Sequence, residues 1–348
     1  MTTPELDGAA ATVLMRALLG RSISPQEIAR VGWDRLAGIA RQNGVLLRAA
    51  DRFRKEQLAI PASVVDAIEG EQRRAETALA LVGRVSAVCT RLGVPFLFPK
   101  AIQHLPDVGS DLDLLVGNRS TAIDEVLVRE LGAVAVRPDI VSRIAGTATY
   151  SVPGGPPLDI QHGRIGAVGE HIDFPARLIA GRRPRTVRDL EFHVPSASDQ
   201  LVLQGMQRVY GKRRIRLSDI IYTISTIAHD PLDWDYIIRQ SRRAGTLRGL
   251  SCYLSYADHI QREQTGCPLL DSRIARRLPL AGWGRPRFSG GYYRYPVIRV
   301  SARLYPRSLA AQIRTGNWTG AGRLCLVPFL GMLTALRHRV APMAHTSA

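Results

Sequence analysis

Through most of residues 9–91 apolar side chains recur every three or four positions, the spacing of one buried helix face. SPQEIARVGWDRLAGIARQNGV (24–45) opens with Ser24, Pro25 and Glu27, close to a capping box. Ile28, Val31, Leu36 and Ile39 line one face. A second long helix is predicted from Ala62 to Leu92, stopped by Gly93. The pattern then shortens. VPFLFPK (94–100) and SDLDLLVG (110–117) read as strands, and STAIDEVLVRELGA (120–133) as a helix with Ser120 as N-cap and Gly132 near its end. ATYSV (148–152) and PLDIQH (157–162) read as strands around the turn PGGP, and LEFHVP (190–195) as a last strand. From Ser196 the helical period returns in SASDQLVLQGMQRVY, RLSDIIYTISTIAHD, DWDYIIRQSRRAG and LRGLSCYLSYADHIQREQTG. Beyond Pro268 the chain is rich in Arg, Pro and Gly and weakly patterned, and a helix, a loop and a helix are expected.

This order predicts an α+β fold: a small mixed β-sheet core at 93–195 between an N-terminal helical region (1–92) and a C-terminal one (196–267), followed by a tail (268–348).

Within the core, LPDVGSDLDLLVGN (105–118) places Asp111 and Asp113 two apart in an apolar strand. Residues i and i+2 share a sheet face. Two carboxylates side by side are costly unless a positive charge lies between them. A divalent cation answers that need, since Mg2+ takes oxygen ligands from one or two carboxylates and substrate phosphates. Asp159, in PPLDIQH, supplies a third carboxylate if its strand lies beside the first. Three carboxylates can hold two metals, which clamp the attacking and leaving oxygens of an in-line phosphoryl displacement. The bland alternative is a solvated strand end. Lys100, one of three lysines with Lys55 and Lys212, is placed to meet a triphosphate as a point charge, and Gly109 and Ser110 to offer backbone N–H groups to phosphate oxygens. His162, by the period of two, faces away from Asp159. Asp219 reads either as a local salt-bridge partner of Lys212 or Arg216, or as the residue orienting Lys212 and Arg213 toward a phosphate.

The 348 residues carry a formal charge of +17, nearly all of it on arginine. Clusters stand at 181–188 (GRRPRTVR), 210–216 (YGKRRIR) and 239–243 (RQSRR). Each reads as a solvated face or as a contact for RNA or another anionic partner. Cys89, Cys252, Cys267 and Cys325 form no CxxC pair, and residues 1–20 carry Glu5 and Asp7 with no basic n-region. A cytoplasmic location is expected. No run is long enough to cross a bilayer. CLVPFLGMLTAL (325–336), flanked by Arg323 and Arg337, reads as a packed C-terminal helix or, alternatively, a membrane-surface contact.

FPKA, SDLDLLV and LDIQH in this order resemble the nucleotidyltransferase superfamily of the DNA polymerase beta type. The whole chain is similar to its bacterial uncharacterised nucleotidyltransferase family, through Trp33 to Leu36, the strand ending at Lys100, Asp219 in RLSDIIYTI and Trp234 in LDWDYI. The resemblance covers residues 25 to 310. It implies a nucleoside triphosphate such as ATP as substrate, Mg2+ or Mn2+ as cofactor and Asp111, Asp113 and Asp159 as metal ligands and catalytic residues. Lys100, Gly109, Ser110 and Lys212 would bind the nucleotide. The acceptor, a small molecule, an RNA or a protein, is left open. The chain departs from the family pattern at Lys100-Ala101, where Lys-Gly is usual, at PDVG, where an arginine often precedes the motif, and at Asp159-Ile160-Gln161, where D-h-H is frequent. Those departures keep two alternatives in view: a catalytically degenerate scaffold binding RNA or an anionic surface, and a tRNA-modifying toxin of a two-gene system.

Overall fold

The computed structural model describes residues 2–100, 102–117, 121–212 and 214–327. Ala101, Ser120 as N-cap, Arg213 and the apolar run beyond Val327 lie outside these residues. α1 (Thr3–Leu18), α2 (Pro25–Val31), α3 (Trp33–Gln42), α4 (Leu46–Lys55) and α5 (Ala62–Arg91) come first. β1 (Phe96–Leu97), a 3-10 turn (Ile102–His104), β2 (Leu112–Val116), α6 (Thr121–Leu131), β3 (Val134–Ala135), α7 (Ile140–Ala145), β4 (Thr147–Ser151) and β5 (Leu158–His162) build the core. α8 (Asp173–Ala180), β6 (Arg183–Val187) and β7 (Leu190–Val194) lead to α9 (Ala197–Gly205), which continues as a π-helical turn, Met206–Gly211. α10 (Leu217–His229), α11 (Trp234–Arg243), α12 (Leu247–Thr265), α13 (Ser272–Arg277), β8 (Arg287–Ser289), β9 (Tyr292–Arg294) and α14 (Val297–Arg314) complete the order. No described helix is long and apolar enough to cross a membrane.

The main sheet runs β1-β2-β5-β4-β3. β2 and β5 are parallel and the other pairings antiparallel, so the layout is the α+β arrangement with a small mixed sheet. Leu112, Leu114, Leu158 and Ile160 are buried within a core that runs on into the helices on both sides.

Several elements differ from the periodicity. The helix expected across 24–45 breaks at Gly32, whose φ of 87° ends α2 and begins α3. A side chain there would be strained by that conformation, not by crowding. Upstream of it, Ser24 and Glu27 form the reciprocal cap. The strand expected at 94–100 shrinks to Phe96–Leu97. The strand at 190–195 does not join the main sheet. It pairs with β6, built from the basic cluster at 181–188. The tail holds a β8–β9 hairpin between α13 and α14.

Side chains fasten the loop before β2 to the N-terminal helices, among them Arg48 of α4, which donates to the Leu105 carbonyl at 3.0 Å. α4 has no side-chain cap of its own. Asp107 takes that place, accepting from the Leu47 N–H at 2.8 Å and the Arg48 N–H at 3.4 Å. Arg74 of α5 donates to the Gly109 carbonyl at 2.6 Å and the Val108 carbonyl at 3.1 Å. The loop therefore delivers Asp111 and Asp113 from a fixed origin.

Candidate active site

Parallel pairing sets Asp113 of β2 directly opposite Asp159 of β5. Directly paired residues share a face, and Asp111 stands one residue ahead of β2. Ligand oxygens of the three carboxylates lie within 4.8 Å of one another. Leu112 and Leu114 take the opposite, buried face. The i, i+2 spacing thus spends one face of the strand on the core and the other on charge.

Each carboxylate has its own support. The Lys100 Nζ lies 2.6 Å from Asp113 Oδ1, and Gln161 Nε2 donates to the same oxygen at 3.3 Å. Thr149 Oγ1, on β4, donates to Asp159 Oδ1 at 2.6 Å. Ser110 Oγ donates to Asp111 Oδ1 at 2.9 Å. Asp113 is only 3% exposed. Burial pushes its carboxyl above the usual range, Lys100 opposes that, and the Asp111 and Asp159 charges add to it. Burial also pushes Asp111 upward, but Lys100, the Ser110 hydroxyl, Lys212 and Arg216 together hold it below its ordinary value. Lys212 is lowered by burial first and by the like charge of Lys100 second, against the pull of Asp111 and Asp113.

The cluster opens into a cavity of about 280 Å³. Lys100, the three aspartates, Thr149, Gln161 and Lys212 form its polar part, and Val141, Ala145, Ile165, Leu203 and Met206 its apolar part. Gly109 and Ser110 are not among the lining residues. Ser110 serves Asp111 through its hydroxyl, and Gly109 is held by its carbonyl, at Arg74.

A family model described as "Uncharacterised nucleotidyltransferase" matches residues 29–261. The chain belongs to this uncharacterised nucleotidyltransferase family. No curated protein matches it. Two solved structures show a limited likeness. One is an antigenic nucleotidyltransferase-like protein from Paracoccidioides brasiliensis, 14% identical over 44% of this chain and 76% of that one, with a TM-score of 0.32. The other is a tRNA-processing enzyme (apo form I), 12% identical over 79% of this chain and 81% of that one, with a TM-score of 0.25.

In this member of the family the remaining polar residues sort by what they touch. Asp219 pairs with neither the Lys212 nor the Arg216 side chain, contrary to the sequence expectation. It is fully buried, 2.7 Å from Arg208 Nη2, and its other oxygen accepts from the Arg216 backbone N–H at 2.9 Å. The arginine that reaches it lies on the π-helical turn, eleven residues earlier in the chain. His162 faces away from Asp159, toward Asp124 of α6, with Nε2 3.7 Å from its carboxylate. Sequence reasoning missed Gln161 and Thr149. Gln161 was within reach, since it stands two residues after Asp159 on the same strand. Thr149 needed the β4–β5 register, which pairs it with Asp159.

Proposed function

We propose that this protein transfers a nucleoside monophosphate from a nucleoside triphosphate to an acceptor hydroxyl, with Mg2+ or Mn2+ as cofactor and pyrophosphate as leaving group. The single observation carrying this is the convergence of Asp111, Asp113 and Asp159. The donor set fits a hard divalent cation: all its ligands are carboxylate oxygens. Burial makes Asp113 costly to ionise without further positive charge. Asp111 and Asp113, with Asp159, would hold the metal; when bound, it supplies charge neutralisation for the phosphates and for the acceptor oxygen.

The chain's own residues do the positioning. Lys100 and Lys212 flank Asp111 and Asp113, so the β and γ phosphates lie on that side of the cluster. Thr149 and Gln161 keep Asp159 and Asp113 turned toward each other. The acceptor oxygen then attacks the α-phosphorus in line. A new P–O bond forms, the bond to the bridging oxygen breaks, and pyrophosphate leaves with that electron pair. The hydroxyl proton passes to solvent on the Asp159 side. The apolar part of the cavity offers a surface for the nucleoside.

The test is transfer from α-labelled nucleoside triphosphates to a cell extract with Mg2+ or Mn2+, comparing wild type with Asp113→Ala. Label on an acceptor with wild type alone supports the proposal. Equal labelling by both proteins removes it and leaves a binding scaffold on the same fold.

A further inference from the structure

A second cavity, of about 340 Å³, adjoins the first and shares Ser142, Thr147 and Thr149 with it. It wraps the edge of the sheet where β3 is only two residues long. Thr149 is the link: it borders both cavities and donates to Asp159. The lining charge is mainly positive. Arg143 stands in the last turn of α7, and Arg164 follows β5. The Arg164 guanidinium lies over Gly146, where a Cβ would come within 3.4 Å of Nη1. Among the described residues, neither guanidinium makes a hydrogen bond or an ion pair within 4 Å. The lining carboxylate, Asp124, is turned to His162 and Tyr150. Two uncommitted guanidiniums lining a concave site, Arg164 half-buried and Arg143 exposed, are suited to a phosphate group.

Resting on the nucleotidyl-transfer reading, we infer that this second cavity seats the acceptor, and that the acceptor carries a phosphate bound by Arg143 and Arg164. The polarity of the cluster assigns the two cavities. Lys100 and Lys212 draw the triphosphate to the Asp111 and Asp113 side, whereas the second cavity opens at Thr149, on the Asp159 side, where the acceptor hydroxyl is activated. The acceptor phosphate anchors at the arginines, and its hydroxyl reaches over β4 to the α-phosphorus.

The probe is adenosine 5′-monophosphate, titrated calorimetrically into the full chain in chelator-containing buffer, with adenosine as the uncharged control. Without metal the acidic cluster repels phosphate, so the arginine cavity dominates binding. The Arg143→Ala/Arg164→Ala pair should bind the monophosphate tenfold or more weakly than wild type. The corresponding lysine pair should recover part of the loss, and thermal melts should match, since neither arginine holds a structural contact. Monophosphate affinity unchanged in the alanine pair overturns the inference. A short single-stranded RNA that competes with the monophosphate identifies a polynucleotide acceptor; one that does not identifies a small phosphorylated one, and both outcomes support a phosphate site. If no protein transfers label but the alanine pair loses the monophosphate, the transfer reading falls and the anion site stands. If Asp113→Ala alone abolishes transfer while the arginines affect neither binding nor acceptor use, this inference falls and the transfer reading stands.

Discussion

Two clusters of buried charge, one at Asp219 and one at Asp113, are built on opposite principles. Around Asp219 the charges balance. One carboxylate meets one guanidinium, Arg208, and a backbone N–H; the aspartate is fully buried and Arg208 nearly so. Tyr253, itself bonded to Thr223, donates to the Asp219 carbonyl. Around Asp113 the charges do not balance: three carboxylates crowd together and face a cavity. A sealed, neutral pair fixes structure, and breaking it strands a charge. An unbalanced cluster at a cavity wall costs stability in the free protein and is relieved by what binds there.

That contrast can be broken by substitution. Asp113→Ala is expected to lower nucleotidyl transfer on the order of 10³-fold or more, about 4 kcal/mol of transition-state stabilisation. Its fold should not suffer. A carboxyl raised by burial favours the folded state below its unfolded value and loses that contribution as pH rises through the folded one, so the ionised form of Asp113 opposes folding relative to the protonated form. Initial rates and urea midpoints at pH 7 read the two effects separately. Asp219→Ala should do the reverse, costing roughly 3–5 kcal/mol of stability because Arg208 is left buried and unpaired. A urea midpoint unchanged in that variant would remove the structural assignment.

Asp107→Ala should cost about 1–2 kcal/mol by uncapping α4, visible in the same denaturation series. Because Asp107 also anchors the loop that carries Asp111, the loss should come with slower transfer.

The smallest effect is a slope. His104 is held well below the ordinary imidazole range, by burial first and then by Arg208, Arg48, Arg216 and Arg185. Its neighbours are Asp219 at 3.7 Å, Gln103 at 3.1 Å and the Tyr222 ring. A depressed folded pKa means that His104 stays neutral in the fold while the unfolded chain takes up a proton. Its contribution is therefore full above about pH 6.5 and is lost as pH falls toward the folded value, by up to about 1.4 kcal/mol per pH unit. Denaturation midpoints followed from pH 8 to pH 5 should fall less steeply in His104→Gln than in wild type. Parallel curves would show that His104 is not the sensor.

The two clusters were unequally legible. The metal-type cluster could be read because it obeys a local rule: Asp111 and Asp113 share a strand face, and Asp159 sits in a second strand-like segment. Their convergence still depended on β2 and β5 being parallel neighbours in register, which a single chain does not display. The Asp219 pair was misread because its partner comes from a π-helical turn, whose side chains do not follow the α-helical spacing. β6 was hidden by its arginines, since it faces solvent on a two-stranded hairpin and needs no apolar alternation. The β8–β9 hairpin did carry a signal, Gly290-Gly291 between aromatic residues, with φ of 57° and 79°. It was lost in a tail judged by its composition.

The most direct measurement of the central claim is Mn2+ binding followed by electron paramagnetic resonance, with and without a non-hydrolysable nucleoside triphosphate. Wild type should take up Mn2+, more tightly when the nucleotide is present, and Asp113→Ala and Asp159→Ala should each lose that uptake while remaining folded. Mn2+ bound equally by wild type and both variants would contradict the assignment of these carboxylates to a shared cation.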